Sequence, residues 1–336
     1  MAIQIIAEIG VNHNGSIEQA HKLIDAARAC GADMAKFQTF SADRLASRGT
    51  PKVPYQLRTS DPKETHHAML KKLELSAEAN AELKTYCELV GIEFCSTPYS
   101  VEDAVFLYEL GLRVFKVASA DLVDRTLHEF IAGTGRECIL STGMATLEEV
   151  ETALQIYDQC SARSKVTLLQ CTSAYPTDPS DANLLVMQTL RKRFNCRVGY
   201  SDHTQGNECA IVAAALGASV IEKHFTLDKT LPGPDHAASA TPDELAQFVQ
   251  SVRLVERALG DGVKRITDSE KTMRAVSRKS IVAKRNLTEG HVLRLEDITF
   301  QRPGTGISPM EYPELLGKVL LSNVATGEQL DFSNVR

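Results

Sequence analysis

The chain has 336 residues, 43% of them hydrophobic, with a formal net charge of −6 and no block of like charges. That length implies one large domain plus a smaller one, and that charge argues against nucleic acid or an anionic membrane surface as a partner. No apolar run approaches the ~20 residues that span a bilayer.

The sequence enters a strand pattern almost at once, without a signal-peptide pattern, and its eight cysteines show no C-x-x-C spacing. Buried, reduced thiols in a cytoplasmic protein are the expectation, and no cysteine is marked by its context as a nucleophile.

Over the first 258 residues two patterns alternate. Apolar runs suited to strands fall at 3–10, 34–40, 92–98, 114–119, 137–142, 166–172, 197–203 and 220–226. Between them lie amphipathic helical segments; in the first, Ile17, Ala20, Leu23, Ile24 and Ala27 form one stripe. Ser16 with Gln19 and Thr146 with Glu149 have capping-box spacing, and Thr241-Pro242 marks a third helix start, followed by Leu245, Phe248, Val249, Val252 and Val255.

Eight strand–helix units predict a (β/α)8 TIM barrel over residues 1–260, with a doubly wound open sheet as the alternative. A barrel places its chemistry at the C-terminal strand ends. Glu8, Lys36, Gln38, Thr97, Lys116, Ser119, Ser141, Thr172, Ser201, His203, Glu222 and His224 all fall there.

One connection, residues 41–77, is long and carries Pro51, Pro54, Pro62 and the pair His66-His67. It reads either as a lid or substrate wall or as a surface insertion, with both histidines at the surface. His21, His128 and His291 lack a constellation. A polar linker is expected over 261–279. A small β-rich domain follows over 280–336, with short strands at 280–283, 297–301 and 318–324 and a Gly/Pro loop presenting Arg302.

Glu222 and His224 share one face of the last barrel strand, and His203 closes the strand before it. Two histidines and a carboxylate at neighbouring strand ends make a site for a divalent metal, with oxygen ligands favouring Mn or Mg; two core histidines satisfied by backbone are the other reading. Lys36 and Lys116 can neutralise an anionic ligand as point charges, with Thr97, Ser119, Ser141 and Ser201 as neutral donors. Glu8 and Glu222 either move protons beside that ligand or pair structurally with a lysine.

A set of motifs in order, among them Ile6-Ala-Glu-Ile-Gly-Val-Asn-His-Asn-Gly-Ser16, Lys36-Phe-Gln-Thr-Phe40, Phe115-Lys-Val-Ala-Ser119, Tyr200-Ser-Asp-His-Thr204, Glu222-Lys-His-Phe-Thr226 and Pro232-Gly-Pro-Asp235, resembles the sialic acid synthase family. The C-terminal segment resembles that family's antifreeze-like (SAF, β-clip) domain. The resemblance implies a transferase that condenses phosphoenolpyruvate with N-acetylmannosamine and water, giving N-acetylneuraminate and phosphate with C–O cleavage and the help of Mn²⁺ or Mg²⁺. Acceptors leading to legionaminic or pseudaminic acid are the alternatives.

The resemblance also assigns roles. Lys36, Thr97, Lys116, Ser119, Ser141, Ser173 and Ser201 match phosphoenolpyruvate positions, and Gln38, Asp121, Tyr175, Asp235 and Arg302 match sugar positions. His203 and His224 match metal ligands, and Glu8 and Glu222 match acid/base candidates. Two positions depart from the common pattern: Asp121 stands where many members carry Glu, and Ser173 where some bacterial members have Asn. Lys36-Phe-Gln-Thr-Phe40 with Ala42-Asp43 looks more like the neuraminate and legionaminate synthases than the pseudaminate ones. A domain-swapped homodimer is implied, with Arg302 reaching the partner's site. Outside this family, the competing readings are a phosphoenolpyruvate-condensing barrel making 3-deoxy-2-keto sugar phosphates, which lacks the appended domain, and a non-catalytic carbohydrate-binding protein.

Overall fold

In the computed structural model, which describes residues 2–61 and 63–336, eight parallel strands close into a barrel in chain order. Pro62 of the long connection lies outside the described residues. The strands are β1 Gln4–Gly10, β2 Met34–Thr39, β3 Glu93–Pro98, β4 Val114–Val117, β5 Glu137–Ser141, β6 Val166–Cys171, β7 Arg197–Asp202 and β8 Val220–His224. Strand β1 pairs with both β2 and β8, which closes the ring and excludes the open sheet. Most strands stop one or two residues short of the expected runs. In β4 the reason is local: Ser119 begins a 3-10 turn over Ser119–Val123.

The helices start where capping chemistry says they should. Helix α1, Ile17–Ala29, opens with the Ser16 hydroxyl accepting from the Gln19 amide at 3.2 Å, and buries Ala20, Leu23, Ile24 and Ala27 against the strands. The helix Leu147–Gln159 has its Thr146/Glu149 box, and Pro242–Leu259 buries Leu245, Phe248, Val249 and Val252. No helix among the described residues is long and apolar enough to cross a membrane.

The barrel interior shows what the strand period achieves. Ile6, Met34, Cys95, Val114, Ile139, Leu169 and Val220 point inward and pack into one buried apolar plug. Two residues further along those same strands, on the same face, stand Glu8, Lys36, Thr97, Lys116, Ser141, Cys171 and Glu222. A polar layer therefore lies directly on an apolar floor. Strand β7 contributes Gly199 beside the plug because a Cβ there would collide with the Val220 carbonyl and the Leu169 side chain.

The connection 41–77 is not an irregular loop. It folds into α2 Ala42–Leu45, α3 Pro54–Thr59 and α4 His66–Leu73. Met69, Leu70 and Leu73 of α4 pack with Val11, Phe40, Ala42 and Ala46 in a small core of their own, whereas α3 buries none of its residues.

The backbone divides after Gly260 into two compact units. In the second, the stretch expected as linker contains a helix, Asp268–Ser277, started by a Thr267/Glu270 capping box and burying none of its residues. Strands β9 Ser280–Ala283 and β10 Ile298–Gln301 form an antiparallel pair over a core that includes Ile281, Leu293, Ile298, Leu315 and Leu320. The expected strand at 318–324 is replaced by isolated bridges: Val319, Leu320 and Val324 pair with Val292, Val335 and Leu287 respectively, so no continuous ladder forms. Arg302 is exposed just after β10. His291 has partners after all: it bonds the buried Asp297 carboxylate at 2.8 Å, and Arg285 bonds the same group at 2.6 Å.

Candidate active site

A cavity of about 810 Å³ opens at the C-terminal mouth of the barrel. Its lining includes Glu8, Lys36, Gln38, Thr97, Lys116, Ser119, Ser141, Ser173, Tyr175, Ser201, His203, Glu222, His224 and Asp235, so the structure brings nearly all of the expected residues to one place. Asp121 is not among the lining residues; it is half-buried in the turn after β4, where burial and then the nearby Asp124 push its carboxyl up to about 7. Arg302 belongs to the second unit.

The floor of the cavity is a buried charge network. Lys36 Nζ lies 3.2 Å from Glu8 Oε2 and 3.0 Å from Glu222 Oε2. Lys116 Nζ lies 3.8 Å from Glu222 Oε1 and donates to Ser141 Oγ at 2.7 Å. Ser201 Oγ donates to Glu222 Oε1 at 2.8 Å, and Gln38 Nε2 to Glu8 Oε1 at 3.0 Å. Strand register makes this possible, since Glu8 sits opposite Lys36 on one side and His224 on the other, and Ser201 opposite Glu222.

The two carboxylates are driven apart. Burial pushes the Glu8 carboxyl up to about 7, the charge on Glu222 adds to this, and Lys36 opposes it. Glu222 is equally buried, but Lys116 and Lys36 together outweigh burial and hold it far below the usual carboxylate range. Burial works against charge on Lys36 as well, yet Glu222 and Glu8 keep it firmly protonated, while burial and then Lys36 lower Lys116. The floor thus sets a carboxyl that favours its proton, Glu8, beside one held as the anion, Glu222, with two lysines between and around them.

His203 and His224 stand side by side above Glu222, their rings 5.3 Å apart. The Nδ1 of His203 faces the Thr172 carbonyl at 2.8 Å, so Nδ1 carries the proton and Nε2 offers its lone pair. Burial holds His224 neutral, and its Nδ1 is buried with no hydrogen-bond partner among the described residues, 3.9 Å from Asp235 Oδ2. A cation between the rings could take a nitrogen from each: His224 Nδ1 has no partner among the described residues and His203 Nε2 has the Ser201 hydroxyl at 3.5 Å, while burial opposes charge on His203 but Cys171 and the Thr172 carbonyl raise its pKa. Among the described residues no three His, Cys, Asp or Glu side chains form a metal cage, which leaves the other positions to oxygens of water or ligand.

The wall comes from elsewhere. Tyr175 packs 4.2 Å from His203 and edge-on to His224 at 5.6 Å, and Tyr55 of α3 packs on Tyr175 at 5.2 Å. Leu45, Val53, Met69, Leu70 and Leu73 give one side an apolar surface, with Arg58 exposed beside them. Tyr55, Arg58 and Tyr99 line the cavity without having been singled out in the sequence; the proline-bounded connection was the available signal for the first two. His66, expected at the surface, also lines the cavity, while His67 pairs with Asp43 at 2.9 Å.

A closed parallel barrel with two buried lysines and a histidine pair at its mouth, followed along the chain by a small β unit, is the architecture to be matched to a family. Residues 23–264 match the model of the NeuB family and residues 278–336 that of the SAF domain, and the chain belongs to the NeuB family and is an enzyme of the transferase type. It is 44% identical to the N,N'-diacetyllegionaminic acid synthase of Campylobacter jejuni over 96% of this chain and 97% of that one. It is 39% identical to the human N-acetylneuraminate-9-phosphate synthase over 95% of this chain and 89% of that one. The crystal structure of the N-acetylneuraminic acid (sialic acid) synthetase from Leptospira borgpetersenii, in complex with citrate, superposes with a TM-score of 0.72 at 35% identity, covering 81% of this chain and 90% of that one.

Proposed function

We propose that this protein condenses phosphoenolpyruvate with an acylamino sugar of the mannose type, in its open-chain aldehyde form, to give a nine-carbon 2-keto sugar acid and inorganic phosphate. The observation that carries this reading is the single cavity in which Lys36 and Lys116, ringed by hydroxyls, lie beside His203 and His224. A doubly anionic substrate fits the first group and an aldehyde oxygen the second.

Lys36 and Lys116 hold the carboxylate and phosphate of phosphoenolpyruvate, with Thr97, Ser119, Ser141, Ser173 and Ser201 donating neutral hydrogen bonds around them. Asp235 and Gln38 orient sugar hydroxyls. When bound by His203 and His224, a Mn²⁺ or Mg²⁺ ion supplies Lewis-acid polarisation of the aldehyde. C3 of phosphoenolpyruvate attacks the aldehyde carbon, whose oxygen takes a proton. Water adds at C2 and loses a proton, and the C2–O bond to phosphate then breaks. Glu8, whose carboxyl burial shifts toward its protonated form, is placed to hold or release a proton within this sequence, and Glu222 stays ionised between the lysines.

The relative from Campylobacter jejuni is more similar than the human one, and the apolar wall suits a deoxy carbon. Both favour a di-N-acetylated trideoxyhexose, leading to a legionaminic acid. N-acetylmannosamine, placed first from the sequence, is the second reading, supported by the likeness to the Leptospira synthetase. The reading includes a domain-swapped homodimer, which the family resemblance implies, and a cytoplasmic setting, which the cysteine usage suggests.

Phosphate release from phosphoenolpyruvate with Mn²⁺ tests the reading against a panel of acceptors: N-acetylmannosamine, its 6-phosphate, the legionaminate and pseudaminate precursors, and arabinose 5-phosphate. Release with one acylamino sugar is the expected result. Release with arabinose 5-phosphate alone moves the protein to the barrels that make 3-deoxy sugar phosphates.

A further inference from the structure

Helix α3 is held over the cavity without a core. It is six residues long and fully buries none of them, so little beyond the half-buried Tyr55 packed on Tyr175 keeps it in place. Lys52, just before it, bonds Ser60 Oγ at 2.9 Å, the Asp61 carbonyl at 2.8 Å and Glu64 Oε1 at 3.1 Å, but these bonds stay inside the insertion. Among the described residues, the hydrogen bonds that leave α3 for the rest of the barrel all pass through Thr59. The Gly233 amide donates to the Thr59 carbonyl at 3.2 Å, and the Thr59 hydroxyl, shared with the Tyr55 carbonyl at 3.0 Å, reaches the Pro234 carbonyl at 3.2 Å.

What Thr59 grips is the loop that carries Asp235. That loop is fixed from beneath. Asn14 Nδ2 donates to the Pro232 carbonyl at 2.9 Å, Ser239 Oγ to the Asp235 carbonyl at 2.7 Å, and the fully buried His236 meets Thr226 Oγ1 at 2.7 Å. Gly233 has a φ of +149° and is packed so closely that a Cβ would stand 2.8 Å from the His236 ring. The loop is thus held on its inner side, and Thr59 is where the helix attaches to it. On α3, Tyr55 and Thr59 are four residues apart and share a face. The grip that fixes Thr59 therefore also fixes Tyr55 against Tyr175, and through it against His203 and His224. The Asp235 carboxylate, buried and free of protein hydrogen bonds among the described residues, is left to receive a ligand hydroxyl.

We propose that Thr59 is a positioning residue for the acceptor sugar: it latches α3 onto the Asp235 loop so that Tyr55 and Asp235 close the same side of the cavity together. The assignment to an acceptor rests on reading the cavity as an acylamino-sugar site. The phosphoenolpyruvate half, built on strands, does not depend on the latch.

The test uses T59V and T59S in the full-length protein. Hydrogen exchange at the Gly233 amide reads the latch without turnover, and is expected to be about five-fold faster in T59V, the equivalent of one ordinary hydrogen bond, and restored in T59S. Steady-state kinetics read its purpose: the acceptor KM rises about five-fold in T59V while the phosphoenolpyruvate KM stays put, and T59S again restores it. Unchanged Gly233 exchange in T59V, or an equal rise in both KM values, overturns the proposal. If the wild type turns over no acceptor while Gly233 exchange still responds in T59V, the sugar-site reading has failed and with it the assignment of Thr59 to an acceptor.

Discussion

The floor and the wall of the cavity are built on opposite principles. The floor is a set of side chains on consecutive strands, fully buried, each charge touching its opposite or a hydroxyl, over an apolar plug. The outer part of the wall is a six-residue helix with no fully buried residue, attached through Thr59 and a tyrosine stack. The contrast teaches where each task is placed. Charge that must be aimed within a fraction of an ångström is mounted on the stiffest part of the fold, and contact with a variable sugar on a part that can be adjusted at little cost to folding.

If that contrast is right, breaking the floor costs both fold and chemistry. Lys36→Met leaves Glu8 and Glu222 buried without their shared cation. Thermal and denaturant unfolding should show a loss of roughly 3–5 kcal/mol, and phosphate release should fall about a hundred- to a thousand-fold in folded protein. A variant as stable as the wild type would show that the network is not what holds those strand ends.

His224→Ala separates the two costs. A neutral imidazole with an unpartnered nitrogen contributes little to the fold, so the variant should unfold near the wild-type temperature while losing its response to added Mn²⁺. A metal titration identical to wild type removes His224 from the site. Tyr55→Ala sharpens the contrast from the other side. Removing one aromatic pair worth about 1 kcal/mol should raise the acceptor KM about five-fold, cost no more than about that much stability, and leave the phosphoenolpyruvate KM alone. A marked drop in stability would mean that α3 belongs to the structural core.

The smallest effect lies in the second unit and appears only in acid. Burial favours the neutral acid of Asp297, but His291, Arg285 and the Arg294 amide overcome it and lower the pKa from 3.8 to about 2. A carboxyl depressed on folding adds stability that is fully present above pH 3.8 and drains away as pH falls toward 2. Melting curves of the full chain should show that loss in the wild type across this window, and Asp297→Asn should remove its contribution to the slope.

How much of this was legible in the sequence follows the same division. Met34/Lys36/Gln38 and Val220/Glu222/His224 repeat at a spacing of two, so the barrel strands and the inward row of polar groups could be read directly. The wall could not. Thr59 and Pro234 are 175 positions apart, and although Pro54 and Gln56 mark a helix start, nothing local in Pro54–Thr59 says where that helix will lie. The helix Asp268–Ser277 was announced by Thr267 and Glu270 but has no apolar face packed in its own unit, so it read as a polar linker. Around Val319 the apolar residues imitate a strand, yet each pairs with a different partner, a property of the closed small core and not of the local pattern.

The absence of any buried residue in α3 makes that stretch a cassette. Its replacement removes nothing from the plug, the charge network or the histidine pair, so a lineage or an engineer can rewrite acceptor preference there by exchanging a handful of residues, provided the hydroxyl at its end still finds the Pro234 carbonyl.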